Sequence, residues 1–229
     1  DVCSSDLTRP CCTADLKIKD TKSLAKDISN LKSALIKNNH PQGFINSASP
    51  GVISNFLPNK FYKNDDDYLE ALSKMMKTEY DEITKNDLLL QIDCPDLALA
   101  RHMTFKNVSD EEFLVRAEKQ IECLNEAIKD IDASKLRMHI CWGNYEGPHI
   151  HDIGLEKILP IALKANIQTY LIEASNPRHA HEWKVFENIK LPNDKVIVPG
   201  VIDSTSNFVE HEELDRKSTR LNSSHTVIS

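Results

Sequence analysis

The chain has 229 residues, of which 40% are hydrophobic and 28% are charged, and its formal net charge at pH 7 is -7. This composition is typical of a globular chain, and the length suits one domain or a large part of one. An acidic balance argues against a nucleic-acid partner and favours a small molecule. No stretch approaches the ~20 apolar residues of a membrane span and neither end resembles a signal peptide, so we expect a cytoplasmic protein with no membrane partner.

The two ends differ in character from the rest of the chain. Residues 215–229, DRKSTRLNSSHTVIS, have no apolar periodicity. They resemble the conceptual translation of a DNA-sequencing adapter, and residues 1–7, DVCSSDL, resemble the translation of its opposite strand. We therefore expect both ends to be assembly artefacts and predict one domain over residues 8–214.

The cysteines show neither regular spacing nor a CxxC pair. They are Cys3, Cys11, Cys12, Cys94, Cys123 and Cys141. This pattern argues against a disulfide framework and against a zinc ribbon. Any metal site must therefore combine ligands from distant parts of the chain.

Helical and strand patterns alternate through the first half of the domain. Apolar residues at helical intervals predict a helix over residues 23–37, and a short strand from Gly43 then runs into a Pro-Gly loop. A helix is predicted over residues 65–84, because three Asp residues at its start favour the positive end of the helix dipole. A buried strand follows over residues 87–93.

The second half continues the alternation. Ser109, with Glu112 three residues later, predicts the start of a helix over residues 110–131. Further predicted elements are a strand over residues 136–143, a helix over 154–165, a strand over 168–173, a short helix over 179–188 and a strand from residue 195. Five strands alternating with helices predict an α/β fold with a parallel sheet, and a TIM (β/α) barrel is the expected architecture.

Several side chains of the kind that bind metals lie at predicted strand ends, where parallel α/β folds build their sites. His139 and Cys141 are two residues apart on one strand, so their side chains leave the same face. Core packing is the simpler explanation for this pair alone. Glu173 ends the next strand, and a buried carboxylate there needs a partner such as a shared cation. Nitrogen, sulfur and oxygen ligands together indicate Zn²⁺.

Five blocks of sequence resemble the cobalamin-independent methionine synthase II family. They are INSASPGVIS, LLLQIDCPD, MHICWGNYEGPH, IEASNPRHAHEW and VIVPGVIDSTSNFVEH, and the resemblance spans about residues 8–214. It implies the catalytic, C-terminal-type barrel domain of that family, here an incomplete TIM barrel. It also implies zinc-dependent transfer of a methyl group to the thiol of homocysteine, which forms methionine.

The resemblance also implies individual residue roles. His139, Cys141 and Glu173 match three zinc ligands of the family, and a Cys from a later strand would be the fourth. That Cys would lie beyond Leu214, where the adapter-like sequence begins, so we expect this chain to lack one ligand and to be impaired. Asp93 matches the carboxylate that binds the amino group of homocysteine, although a cap on the following loop is the alternative role.

The methyl donor and the acceptor thiol stay open. The sequence does not distinguish a folate, a methylated corrinoid protein or another compound as the methyl donor. The longer synthases carry a His, proposed to protonate folate, where this chain has Thr205 after Asp203, and this difference puts folate in doubt. The alternatives to homocysteine methylation are alkyl transfer to another thiol, such as coenzyme M, and an inactive, poorly soluble fragment with exposed sheet edges.

The other histidines are weaker candidates for a site. His149 and His151 could line the cleft or bind a second ion, but the polarity of an exposed loop explains them more simply. His179 and His181 are two residues apart on a predicted helix, so their side chains should diverge. Trp142 either closes the metal pocket or packs in the core.

Overall fold

The computed structural model describes residues 10–144, 147–203 and 211, so both adapter-like ends lie outside the described residues. The helices of this part are α1 (Lys22–Lys37), α2 (Pro50–Phe56), α3 (Asp65–Lys85), α4 (Leu99–Met103), α5 (Asp110–Ile128), α6 (Leu155–Ala162) and α7 (Val185–Asn188). Its strands are β1 (Phe44–Ala48), β2 (Leu89–Asp93), β3 (Leu136–Ile140), β4 (Thr169–Glu173) and β5 (Val196–Gly200). None of these helices combines the length and the apolar character needed to cross a bilayer.

The five strands form one sheet in which spatial order follows chain order. The order is β1-β2-β3-β4-β5, and each neighbouring pair is parallel. A doubly wound sheet would instead reverse its strand order at a switch point. Successive parallel strands joined by helices are the arrangement of a (β/α) barrel, and the chain therefore forms an incomplete TIM barrel, as predicted.

The two faces of the sheet have different surroundings. One face of the sheet carries Met138, Ile140 and Tyr170, which are fully buried. They belong to the hydrophobic cluster that also contains buried apolar residues of α3, α5 and α6. His139 and Leu171, which alternate with them, are only partly buried. The core thus lies between the sheet and the helices, and the opposite face is available to carry chemistry.

The N-terminus of α5 has the cap that its sequence predicts. The Ser109 hydroxyl accepts a hydrogen bond from the Glu112 amide at 3.1 Å, and the Glu112 carboxylate accepts one from the Ser109 amide at 3.1 Å. Both of these amides would otherwise lack a partner within the helix. The helix ends at Ile128, three residues before the predicted end.

The prediction of a Pro-Gly loop after β1 is wrong, because Pro50 is the first residue of α2. Proline is well tolerated there, since the first helical amide has no partner within the helix. Ser49 caps this helix by accepting a hydrogen bond from the Val52 amide at 3.0 Å, and its hydroxyl donates to Asp96 Oδ1 at 2.6 Å. A Cβ atom on Gly51 would lie 2.0 Å from Asp96 Oδ2, so the small residue makes this contact possible.

Candidate metal and substrate site

Strand register brings the predicted site residues to one edge of the sheet. Asp93 pairs with His139 across β2 and β3, and His139 pairs with Leu171 across β3 and β4. Cys141 and Glu173 each lie two residues further along, so they are level with one another and on the same face as His139. The four side chains therefore share the carboxyl end of three neighbouring strands.

His139 and Asp93 are direct partners. The Nδ1 atom of His139 makes a hydrogen bond with Asp93 Oδ1, and the two side chains are 33% and 46% exposed. When Nδ1 carries the proton of this bond, the Nε2 atom has a lone pair that can bind a metal. A carboxylate has two oxygens, so Asp93 can hold His139 and also accept a hydrogen bond from a substrate.

Cys141 is a largely buried thiol beside carboxylates. Burial raises the pKa of Cys141 to about 12, and the nearby charges of Asp93 and Glu173 act in the same direction. A backbone hydrogen bond from Gly143 lowers the pKa only in part. Cys141 alone is therefore a protonated thiol at neutral pH, and a nearby cation is needed to make it a thiolate.

Trp142 connects the end of β3 to the elements around it. Its backbone amide donates to Glu173 Oε1 at 3.2 Å, and its indole Nε1 donates to the Ile153 carbonyl at 2.7 Å. The indole ring stacks on the His179 ring with 4.1 Å between the centroids. Trp142 is 1% exposed and thus packs in the interior while holding the Glu173 carboxylate.

The structure assembles a different group of ligand atoms more closely. In the part of the chain that the structure describes, one group of three His, Cys, Asp or Glu side chains has its ligand atoms within 4.8 Å of one another. This group is His102, His149 and Asp152. The predicted zinc ligands share a face of the sheet but are not gathered to that distance, so their assignment stays a prediction.

The interpretation of His149 as an exposed loop residue is wrong, because its side chain is only 1% exposed. Its Nδ1 atom lies 2.8 Å from Asp152 Oδ2, and its ring stacks on the His102 ring at 4.8 Å. The only sequence signal for this contact was the spacing of His149 and Asp152, which are three residues apart. They also contact two residues that are distant in sequence, His102 on α4 and His179.

His179 is also buried, whereas His181 is exposed, so these two side chains diverge as predicted. The Nε2 atom of His179 lies 3.0 Å from Asp152 Oδ2, and its Nδ1 atom lies 3.0 Å from Glu182 Oε2. Burial lowers the pKa of His179, but the hydrogen bonds with Asp152 and Glu182 outweigh it and raise the pKa to about 9. His179 is therefore a cation held between two carboxylates.

Cys94 is fully buried in the hydrophobic core, where desolvation raises its pKa well above the ordinary value, so it is a packing residue. It and the other described cysteines, Cys11, Cys12, Cys123 and Cys141, are free thiols. Thr205 and the expected position of the later Cys, beyond Leu214, lie outside the described residues.

No protein-family model matches the sequence, and no curated protein matches it. Among solved structures, 13 chains match. One of them is a B12-independent methionine synthase from Shewanella sp. W3-18-1 in complex with selenomethionine, with a TM-score of 0.61 and 20% sequence identity. The match covers 85% of this chain and 53% of that chain, so this chain spans about half of that protein's length. At this identity the likeness shows the fold, which agrees with the incomplete barrel.

Proposed function

We propose that the chain is part of a zinc-dependent S-methyltransferase that methylates the thiol of homocysteine to form methionine. The observation that carries this proposal is the common face of Asp93, His139, Cys141 and Glu173 at the carboxyl end of β2, β3 and β4. The fold likeness to a methionine synthase and the resembling sequence blocks support the same activity.

The donor atoms of the site suit zinc. His139, Cys141 and Glu173 would hold the ion through an imidazole nitrogen, a thiolate and a carboxylate, a set that Zn²⁺ accepts. The Cys141 thiol, whose pKa burial raises to about 12, needs such a cation to ionise near neutral pH. Zinc bound there would supply the positive charge that lowers the pKa of an acceptor thiol and keeps it a nucleophile.

The protein groups around the metal position the acceptor. Asp93 holds His139 through Nδ1, which leaves Nε2 as the nitrogen that would bind the metal. The same carboxylate attracts the ammonium group of homocysteine, and it would repel the sulfonate of a coenzyme-M-like acceptor. Asp93 also borders an open cavity of about 380 Å³ whose lining includes Ala48, Val52 and Phe56, apolar side chains that suit the methylene carbons of the substrate.

Metal binding to the full chain tests the first half of the proposal. We expect Cys141→Ser to weaken Zn²⁺ binding at the thiolate site by at least ~100-fold, because losing a ligand costs more than losing a residue that only supports one. Exposed Cys11 provides the matched control, Cys11→Ser. Competition with a chromophoric chelator gives the number of bound zinc ions and their affinities, and equal numbers and affinities for the two variants would contradict a zinc site at Cys141.

Substrate binding tests the second half. With Co²⁺ in place of zinc, the Cys141 thiolate should give a sulfur-to-cobalt absorption band that strengthens when homocysteine is added. Asp93→Asn should weaken the response to homocysteine while the cobalt band stays. A cobalt band that homocysteine does not change would leave the metal site in place and contradict homocysteine as the acceptor.

A further inference from the structure

A second group of ligand-type side chains lies outside the predicted zinc site. His102, near the end of α4, meets His149 and Asp152 from the segment between β3 and α6. We name these three residues the histidine cluster. Both segments follow the carboxyl ends of strands, so the histidine cluster belongs to the functional edge of the sheet while sharing no residue with the predicted zinc ligands.

The spacing of the histidine cluster is close to that of metal ligands. The Nδ1 atom of His149 lies 2.8 and 3.0 Å from the two carboxyl oxygens of Asp152, and the Nδ1 atom of His102 lies 3.8 Å from Asp152 Oδ1. Ligand atoms that share one zinc at ~2.0–2.2 Å lie roughly 3–3.6 Å from one another. The ligand atoms of the cluster all lie within 4.8 Å of one another, so shifts of about 1 Å would place one cation among the three side chains.

The surroundings of the histidine cluster resemble the outer shell of a metal site. His149, Asp152 and His102 are 1%, 11% and 12% exposed, so an ion there would be shielded from water. Asp152 also accepts a hydrogen bond from His179, which Glu182 holds from the other side. Carboxylate ligands are commonly fixed by such outer hydrogen bonds, which set their direction before the ion arrives.

We propose that the histidine cluster binds a divalent transition-metal cation at a site separate from Cys141. Two imidazoles with one carboxylate favour zinc, iron(II) or a related ion over magnesium or calcium, which prefer oxygen ligands alone. His151 is a further imidazole close by, since its ring lies 6.1 Å from that of His102. A bound ion joins α4 to the segment before α6.

The proposal is tested by loading the metal-free full chain with Co²⁺. The histidine cluster contains no sulfur, so its cobalt spectrum consists of weak ligand-field bands without the sulfur-to-cobalt band of the Cys141 site. We expect Cys141→Ser to lose the sulfur band and to keep one equivalent of cobalt. In that background, His149→Gln should lose the remaining equivalent, and the exposed His40→Gln is the matched control that retains it.

A second measurement covers the case in which His149→Gln does not fold. His102→Gln changes a less buried ligand and should weaken cobalt binding at the cluster at least tenfold. Added Co²⁺ should raise the melting temperature of the Cys141→Ser protein, because a ligand that binds only the folded chain stabilises it. If the Cys141→Ser protein binds no cobalt and its melting temperature does not rise, the proposal is overturned, and the zinc site proposed at Cys141 is unaffected.

Discussion

The buried carboxyl group of Asp96 gives a quantitative test of the packing beneath the site. Asp96 is 2% exposed and accepts the 2.6 Å hydrogen bond from the Ser49 hydroxyl. Burial raises the pKa of Asp96 to about 6, although the Ser49 bond and the charge of Arg116 lower it and the charge of Asp93 raises it. Asp96→Asn keeps an oxygen that can accept from Ser49 and removes the ionisation.

The direction of the pH effect on the free energy of unfolding follows from the number of protons that the folded and unfolded chains bind. As the pH rises above the ordinary carboxyl pKa of 3.8, the unfolded chain loses its Asp96 proton before the folded chain does, so the free energy of unfolding falls until about pH 6. The change in pKa from 3.8 to about 6 lowers the free energy of unfolding by ~3 kcal/mol in all. About 1 kcal/mol of this loss has already occurred at about pH 4.5. Asp96→Asn should therefore gain ~2 kcal/mol relative to the parent chain between about pH 4.5 and 7.5.

Urea unfolding at the two pH values measures this difference. The exposed Asp27 on α1 supplies the control substitution, Asp27→Asn, for which the same comparison should give a much smaller change. An equal change in the free energy of unfolding at both pH values on Asp96→Asn would contradict this expectation, because Asp96 would then titrate alike in the folded and unfolded chains.

Two further substitutions test the fold by the same unfolding measurement. Ser109→Ala removes the cap of α5 and should cost ~1 kcal/mol, whereas the exposed Ser29→Ala on α1 should cost little; equal costs would show that the cap does not stabilise the helix. Met138→Ala leaves a cavity between β3 and the helices and should cost ~2–5 kcal/mol, and a cost below ~1 kcal/mol would place Met138 outside a tightly packed core.

Local sequence signals were sufficient to predict most of the elements. The pairing of Ser109 with Glu112 predicted the start of α5 because a capping box involves only neighbouring residues. The parallel sheet followed from the alternation of strands and helices, which the structure confirms. The helix at Pro50 was missed, since Pro-Gly usually breaks a helix and here Ser49 supplies a cap whose other partner, Asp96, is 47 residues away.

The candidate site was predictable where its residues follow strand geometry. Spacing along β3 was enough to place His139 and Cys141 on one face, whereas no local signal indicated the bond between His139 and Asp93 from another strand. The burial of His149 was missed for the same reason. Its partner ring at His102 and the second His bound to Asp152 both come from other segments, and only their packing together removes water from the cluster.

The hydrogen bond that holds Glu173 comes from the main chain of Trp142. The contacts of the Trp142 side chain and the hydrogen bond of its main chain are therefore under separate evolutionary constraints. A new side chain at position 142 would disturb the indole's stacking and loop contacts, yet every replacement except proline would retain the donor. The orientation of the Glu173 carboxylate thus depends on the path of the backbone after β3. Substitutions at position 142 can thus change the stability of the loop while the orientation of the Glu173 carboxylate is retained.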